Sequence, residues 1–500
     1  MWNKQALQQL IEERLADYRF IVVANREPYI HRFDGDRIVC IKPASGMASA
    51  LDPIMRACGG VWVGHGSGNA DRRMVDAQNH VRVPPENPTY TLRRVWLTRA
   101  QEDGYYYGLS NEGIWPLCHV TFVRPQYNPD HWKTYREVNA IFAEAVLQEA
   151  KDQPSVVFIQ DYHLALLPRM LKEANPSLVV GQFWHIPWPN REIIRTFPWK
   201  LELLDGLLGN DVLGFHLRYH CQNFLDTIER QLEARVDLER SEVIRGGKTT
   251  WIRPFPISID FDSHVAIAQS PEVDQAMDAW RHRLALATDT LLGIGIERID
   301  YTKGLPDRLR GLNRFLEQCP QFRERVRFVQ VGVPSRVHIK AYRQLDDEID
   351  NLVEEINWRW GSDSWQPITY LKQHFNTVEM IALHRLSRFC IVSSLHDGLN
   401  LVAKEYVASR FDEEGTLILS EFTGAARELT DALLINPYAI DEIAGAIHSA
   451  LIMTDSERRR RMQRMRLAVA ENNVYRWAGK VIHALLKFDT SDDNETQPGG

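Results

Sequence analysis

Residues 290–333 read TLLGIGIERIDYTKGLPDRLRGLNRFLEQCPQFRERVRFVQVGV. Two near-continuous apolar runs, TLLGIGIE (290–297) and VRFVQVGV (326–333), flank GLPDRLRGLNRFLEQC (304–319), whose apolar positions recur at helical spacing. A strand apolar on both faces, an amphipathic helix and a second such strand predict a parallel pair covered by helices. The pattern repeats in both directions. Upstream lie FIVVAN (20–25), VVFIQ (156–160), LVVGQFWH (178–185) and VLGF (212–215), and downstream ITYL (368–371), FCIVSS (389–394), TLILS (416–420) and ALLINP (432–437). Helical segments such as VNAIFAEAVLQEA (138–150) separate them. The fold class is therefore α/β with parallel sheets.

The alternation breaks at 238–265, LERSEVIRGGKTTWIRPFPISIDFDSH, which reads as a hairpin turning at Gly246-Gly247 and a strand limited by Pro254 and Pro256. A boundary there divides the chain almost equally into residues 1–257 and 258–472, two Rossmann-like domains. A final helix spans 473–488, and the polar stretch 489–500, DTSDDNETQPGG, is expected to be disordered.

Among the 500 residues, 59 Lys and Arg face 66 Asp and Glu, a net charge of −7 that lacks the basic footprint of a nucleic-acid binder. Hydrophobic residues make up 44% and charged residues 25%, which excludes disordered and fibrous classes. No run approaches a membrane span, and the charged start MWNKQALQQLIEERLADY has no signal-peptide core, so a cytoplasmic location without membrane contact is expected. Cysteines at 40, 58, 118, 221, 319 and 390 form no C-x-x-C pair and read as reduced and mostly buried. The sequence admits a homo-oligomer.

Several short patterns favour plain structural readings. GGKT (246–249) lacks the earlier glycine of a phosphate loop, because position 242 is Glu, and reads as a turn. Gly64-His65-Gly66-Ser67-Gly68 lacks dinucleotide-fingerprint spacing and reads equally as a flexible loop or a substrate contact. His216 and His220 lack the Glu of a metalloprotease helix. Asp260-Phe261-Asp262 has the carboxylates for a divalent cation but lies in the linker, and no metal is expected.

Two segments carry more. Arg298 and Lys303 leave the end of a parallel strand and can converge on a diphosphate, Arg as a planar fork and Lys as a point charge. In HDGLNLVAKEY (396–406), the N–H groups of Leu399, Asn400 and Leu401 are expected to open a helix toward a phosphate. Asp397 can accept from sugar hydroxyls, and Glu405, two helical turns on, can hold a ribose diol from the same face.

ERIDYTKGLPDR and LHDGLNLVAKEYVA, with FIQDYHLALLP (158–168), FWHIPWPNREI (183–193), YYYGLSNEGIWP (105–116) and SEFTGAARELTDALLINPY (420–438), resemble the trehalose-6-phosphate synthase family of retaining glucosyltransferases. The resemblance runs from about residue 18 to 487 with the motifs in the same order. It implies two facing Rossmann domains (the GT-B fold), an active site in the cleft between them, and a C-terminal helix crossing back to the first domain. By the same resemblance, Arg298 and Lys303 match the donor-diphosphate cations, Glu405 the ribose ligand, and Asp397 with Leu399, Asn400 and Leu401 the donor glucose and phosphate contacts. His185 matches the histidine at the donor sugar, Asp161 the acid at the acceptor hydroxyls, and Gly46 the glycine loop over the donor. Arg26, Tyr106, Trp115 and Arg336 match the acceptor-phosphate pocket.

The implied reaction is metal-independent transfer of glucose from UDP-glucose to glucose 6-phosphate, without a cofactor. A glucosylglycerol-phosphate synthase and a silent sugar-phosphate sensor are the alternatives. The chain departs from the family pattern at Ser45, where a paired glycine is usual, at His396, where Arg is usual, and at His65, where Trp is usual. These changes bear on the acceptor's sugar half and on loop closure.

Overall fold

The structure is a computed structural model that describes residues 2–43, 46–151 and 153–495. It divides into one unit of residues 1–257 with 474–500 and another of residues 258–473.

The first unit contains strands β1 (Arg19–Arg26), β2 (Ile30–Asp34), β3 (Arg37–Ile41), β4 (Val61–His65), β5 (His80–Val83), β6 (Tyr90–Val95), β7 (Ser155–Gln160), β8 (Val179–Phe183), β9 (Val212–Phe215), β10 (Arg235–Asp237), β11 (Glu242–Arg245) and β12 (Lys248–Pro254). β2 and β3 form a separate antiparallel hairpin, and the other ten form one sheet in the order β10-β11-β12-β9-β8-β7-β1-β4-β6-β5. From β12 to β6 every pairing is parallel, and β5 and the β10–β11 pair close the edges antiparallel. β1 sits at the centre because Ile21, Val22 and Val23 are apolar and fully buried, with Val22 opposite Trp62 on one side and Phe158 on the other. Gly246 and Gly247 turn the β11–β12 hairpin with φ of 57° and 75°, conformations that glycine adopts without a Cβ clash.

The last helix, Val474–Glu495, packs in this unit. Trp477 donates from its indole N–H to the Phe255 carbonyl at 3.0 Å. The stretch 489–495, expected to be disordered, continues this helix, since DTSDDNE holds neither Gly nor Pro to stop it. Residues 496–500 lie outside the described residues.

The second unit has six parallel strands, β13 (Leu291–Arg298), β14 (Val326–Val333), β15 (Ile368–Leu371), β16 (Phe389–Val392), β17 (Thr416–Ser420) and β18 (Leu433–Ile435), in the order β15-β14-β13-β16-β17-β18. Successive side chains go to opposite faces, which is why these strands are apolar throughout. Cys390, Val392, Leu417 and Leu419 join a core with Trp280, Tyr406 and Met462, while Phe389, Ile391 and Ile418 join another with Leu309, Ile349 and Ile447. All six cysteines are free. Cys118, Cys221 and Cys390 are buried, but Cys40 on β3 is exposed.

Candidate functional site

In a doubly wound sheet the loops at the carboxyl ends of the strands diverge where the strand order reverses, leaving room for a ligand. In the second unit that point lies between β13 and β16, and the loops leaving these strands carry Arg298, Lys303 and Asp397. The first loop is shaped by Asp300, whose Oδ1 accepts from the Thr302 N–H and hydroxyl at 3.0 and 2.9 Å. Gly304 then takes φ 63°, where a Cβ would meet the Ser393 carbonyl at 2.3 Å, so only glycine lets the helix Leu305–Gln318 start this close to the second loop. The Leu395 N–H donates to the Thr302 carbonyl at 2.8 Å and joins the two loops.

Lys303 Nζ lies 2.5 Å from Asp397 Oδ2, which also accepts from Ser394 Oγ at 3.2 Å and Asn400 Nδ2 at 3.1 Å. The helix opens two positions later than expected, over Leu401–Ser409. Asn400 is its N-cap, with φ 85° and Oδ1 accepting from the Ala403 N–H at 3.1 Å. The orphan N–H groups therefore begin with Leu401, and the buried Leu399 precedes the cap. Because 397–400 is not helical, Asp397 and Glu405 are not two turns apart on one face. Glu405 instead lies one turn beyond Leu401.

Burial raises the Glu405 carboxyl from 4.5 to about 7. A carboxyl raised on folding opposes folding increasingly as pH climbs from the unfolded value to the folded one. Glu405→Gln is therefore expected to raise Tm by an amount that grows from pH 5 to pH 8. Thermal melts at the two pH values check this, and a pH-independent change in Tm would contradict it.

Beneath these loops is a buried ion pair that the motif reading missed. Arg308, fully buried, donates to Glu297 Oε2 at 2.8 Å, Ser393 Oγ at 2.9 Å and Gln330 Oε1 at 3.0 Å, tying together the ends of β13 and β16. Its sequence signal is a charge on the stripe Leu305, Leu309, Leu312 and Phe315 that the helix buries. Arg336 belongs to the same unit. Its guanidinium donates to Asp300 Oδ2 at 3.4 Å and to the Tyr342 hydroxyl at 2.5 Å, and it is thereby attached to the loop that carries Arg298.

The first unit reverses its strand order between β1 and β7. Arg26 ends β1, Asp161 follows β7, and His185 follows β8. Arg26 donates to the Tyr106 hydroxyl at 2.7 Å, and the Tyr106 ring stacks on His163 at 5.6 Å. Tyr106 sits in a π-helical segment, Asp103–Ile114, a rare geometry that concentrates at functional sites. Trp115 follows it, buried, with its ring 4.0 Å from His119 and 6.0 Å from Tyr162. Asp161 holds φ 71° and ψ 176°, strained for a residue with a Cβ. Its Oδ1 accepts from the His185 N–H at 3.2 Å, and Gln182 Nε2 donates to its carbonyl at 2.9 Å.

His185 Nε2 meets Gln160 Oε1 at 2.9 Å, and burial pushes its imidazole down to about 3. It is a neutral imidazole at physiological pH, donating from Nε2, so Nδ1 is an acceptor. Gly46 is the first residue of the helix Gly46–Cys58, and Ser45 lies outside the described residues. His65 ends β4 and is held neutral by burial, down to about 4. His216 Nε2 is 3.0 Å from the His185 carbonyl, a structural contact. Asp260 of the D-x-D triplet caps the helix Phe261–Ala268, accepting from the Ser263 N–H at 3.2 Å. Among the described residues no group of three or more His, Cys, Asp or Glu is placed to hold a metal ion, and no helix is long and apolar enough to cross a membrane.

Cations and a capped helix at the switch point of a doubly wound sheet define a protein that handles a phosphorylated group, and the comparisons make the class a glycosyltransferase. The chain belongs to glycosyltransferase family 20, whose profile matches residues 18–487. It is 38% identical over 486 residues to the trehalose-6-phosphate synthase of Mycolicibacterium vanbaalenii, covering 95% of this chain and 97% of that one. The structure of an alpha,alpha-trehalose-phosphate synthase (UDP-forming) from Burkholderia xenovorans in complex with glucose-6-phosphate aligns with a TM-score of 0.84 at 30% identity, covering 93% of this chain and 99% of that one. An E. coli structure bound with UDP-2-fluoro glucose aligns at 0.83 with 31% identity, covering 94% and 99%.

Proposed function

We propose that the chain is a retaining glucosyltransferase that moves glucose from UDP-glucose to glucose 6-phosphate, yielding α,α-trehalose 6-phosphate and UDP. The observation that carries this reading is the Arg298, Lys303, Asp397 and Asn400 constellation at the switch point of the second unit. It is supported by full-length likeness to relatives of that name and to structures holding a UDP-glucose analogue and glucose-6-phosphate.

Arg298, Lys303 and the N–H groups from Leu401 onward oppose the charge that builds on the leaving diphosphate, and Glu405 takes the ribose diol. Asp397 and the acceptor nitrogen of neutral His185 hold donor hydroxyls, with Gly46, at the start of the helix Gly46–Cys58 rather than in a loop, closing over the donor. Arg26, Tyr106, Trp115 and Arg336 take the acceptor phosphate, and Asp161 the acceptor hydroxyls. The acceptor's anomeric oxygen bonds to the glucosyl anomeric carbon on the face from which UDP departs. The bond to the β-phosphate oxygen breaks with its electron pair, and that oxygen receives the acceptor's proton. No protein nucleophile is required. The protein's work is alignment and charge stabilisation.

Cations and a helix terminus already face the diphosphate, so activity is expected to persist in excess chelator. Asp260→Asn, which keeps a capping side chain, is expected to leave turnover within a few-fold, as is Asp262→Asn. Activity lost in chelator and restored by Mg²⁺ or Mn²⁺ would contradict this. The cytoplasm is the proposed location, in keeping with six free cysteines.

The acceptor is tested by UDP release with glucose 6-phosphate, glycerol 3-phosphate and fructose 6-phosphate under equal conditions. Glucose 6-phosphate is expected to give the highest kcat/KM. Preference for glycerol 3-phosphate would assign the chain to glucosylglycerol-phosphate synthesis, and no UDP release with any acceptor would make it a sensor.

A further inference from the structure

The first unit holds a cavity of about 210 Å³ where β1 and β4 end, lined by Arg26, Arg32, His65, Ser67, Tyr106 and Tyr107 among others. Arg32 comes from the β2–β3 hairpin, whose β3 strand is exposed at every position and which gave no sequence signal. Strand alternation decides where it points. Ile30 and Arg32 share the face that lines the cavity, whereas His31 turns the other way into a buried cluster with Arg94 and Asp71.

From this arrangement, and resting on the acceptor assignment above, we infer that Arg32 is a further phosphate-binding cation of the acceptor site. It acts with Arg26 and sets the preference for phosphorylated over free sugars. The charges around the cavity favour an anion. Among the described residues Arg32 has no carboxylate within ion-pair distance, while Arg26 donates to Tyr106. Glu27, an acid in the wall, is engaged from below by Arg94 Nε at 2.8 Å and is hydrogen-bonded to Asp71, and burial raises its carboxyl to about 8. His65 is neutral for the same reason. Two guanidinium groups, Arg26 and Arg32, therefore line a cavity whose acids are Glu27, already engaged by Arg94, and Glu102. A phosphate dianion losing its water there gains charge-assisted, bidentate hydrogen bonds from both forks.

The test compares the wild type with Arg32→Ala and Arg32→Lys, measuring KM and kcat for glucose 6-phosphate, free glucose and UDP-glucose, with inorganic phosphate as competitor. Arg32→Ala is expected to raise KM for glucose 6-phosphate roughly 10- to 100-fold, the scale of a lost charged hydrogen bond. The values for free glucose and UDP-glucose should stay unchanged, competition by inorganic phosphate should weaken, and Arg32→Lys should restore part of the loss. A KM for glucose 6-phosphate that stays within about twofold overturns the inference, as does an equal loss with free glucose, which marks a structural role. A wild type that does not distinguish glucose 6-phosphate from glucose overturns the acceptor assignment and this inference with it. A wild type that does, with Arg32→Ala unaffected, overturns this inference alone.

Discussion

Arg298→Ala and Lys303→Ala are each expected to lower UDP release about 10²- to 10³-fold, a loss of roughly 3–4 kcal/mol of transition-state stabilisation. The diphosphate accumulates charge as the glycosidic bond breaks, and preorganised cations stabilise it without reorganising at that moment. The two variants are expected to differ in one respect. Lys303 and Asp397 form an ion pair with side chains only 12% and 14% exposed. Lys303→Ala removes the ammonium from that carboxylate, which keeps its hydrogen bonds from Ser394 and Asn400, so this variant is expected to lose stability as well as turnover. Adding Asp397→Asn to Lys303→Ala should then recover Tm without recovering activity, because the part-buried charge that lost its ion-pair partner is gone and the leaving-group cation is still missing. Steady-state UDP release with thermal melts on the same preparations checks both statements. A folded Arg298→Ala/Lys303→Ala protein with near-normal turnover would sink the assignment of these residues.

Free glucose is expected to be a worse acceptor than glucose 6-phosphate by about 10³ or more in kcat/KM, since each charge-assisted hydrogen bond to the phosphate contributes about 1.5–3 kcal/mol and a free sugar forms none of them. Arg26→Ala should reduce that preference mainly through KM for glucose 6-phosphate, leaving the UDP-glucose KM in place. Arg336→Ala should behave differently. Arg336 braces Asp300, and Asp300 holds Thr302 in the loop of Arg298 and Lys303. Its loss is therefore expected to raise the KM of donor and acceptor together. Measuring both KM values in both variants decides the matter. An Arg336→Ala enzyme altered only toward glucose 6-phosphate would contradict the bracing role, and an Arg26→Ala enzyme with its acceptor preference intact would contradict the phosphate role.

The strands that were legible in the sequence are those buried on both faces. VVFIQ, VRFVQVGV and FCIVSS each lie between two neighbouring strands of their sheets, where parallel strands under helices must be apolar throughout. β6 was not legible. It reads YTLRRV, and its Arg94 is buried because Glu27, 67 residues away, accepts from it at 2.8 Å. Hydropathy treats such a residue as a surface charge, since its partner is distant in the chain. The β2–β3 hairpin carries no periodic apolar face and was missed for the opposite reason, its β3 strand being exposed at every position. The π-helical segment around Tyr106 was marked in the sequence only by the spacing of Gly104, Gly108 and Gly113. At Gly108 a Cβ would meet the His131 ring at 2.3 Å, so close packing and not flexibility accounts for that glycine.

Among the proposed site residues, those read as lying after a strand and before a helix do lie in such loops, which fall where the sheet diverges. Arg298, Lys303 and Asp397 are of this kind, and the last two make direct contact. The relation of Glu405 to Asp397 was misjudged because Asn400 adopts a positive φ and delays the helix. The attachment of Arg336 to Asp300 was not legible, since it depends on Tyr342 from a separate helix completing the contact.

The most direct test of the reaction is to incubate the protein with UDP-glucose labelled at the anomeric carbon and with glucose 6-phosphate, and to identify the product by NMR. A single disaccharide phosphate joined anomeric carbon to anomeric carbon in the α,α configuration, formed in step with UDP, is the expected result. A β-linked product would contradict retention, and a linkage to another hydroxyl, or UDP release with glucose left free, would contradict the acceptor geometry.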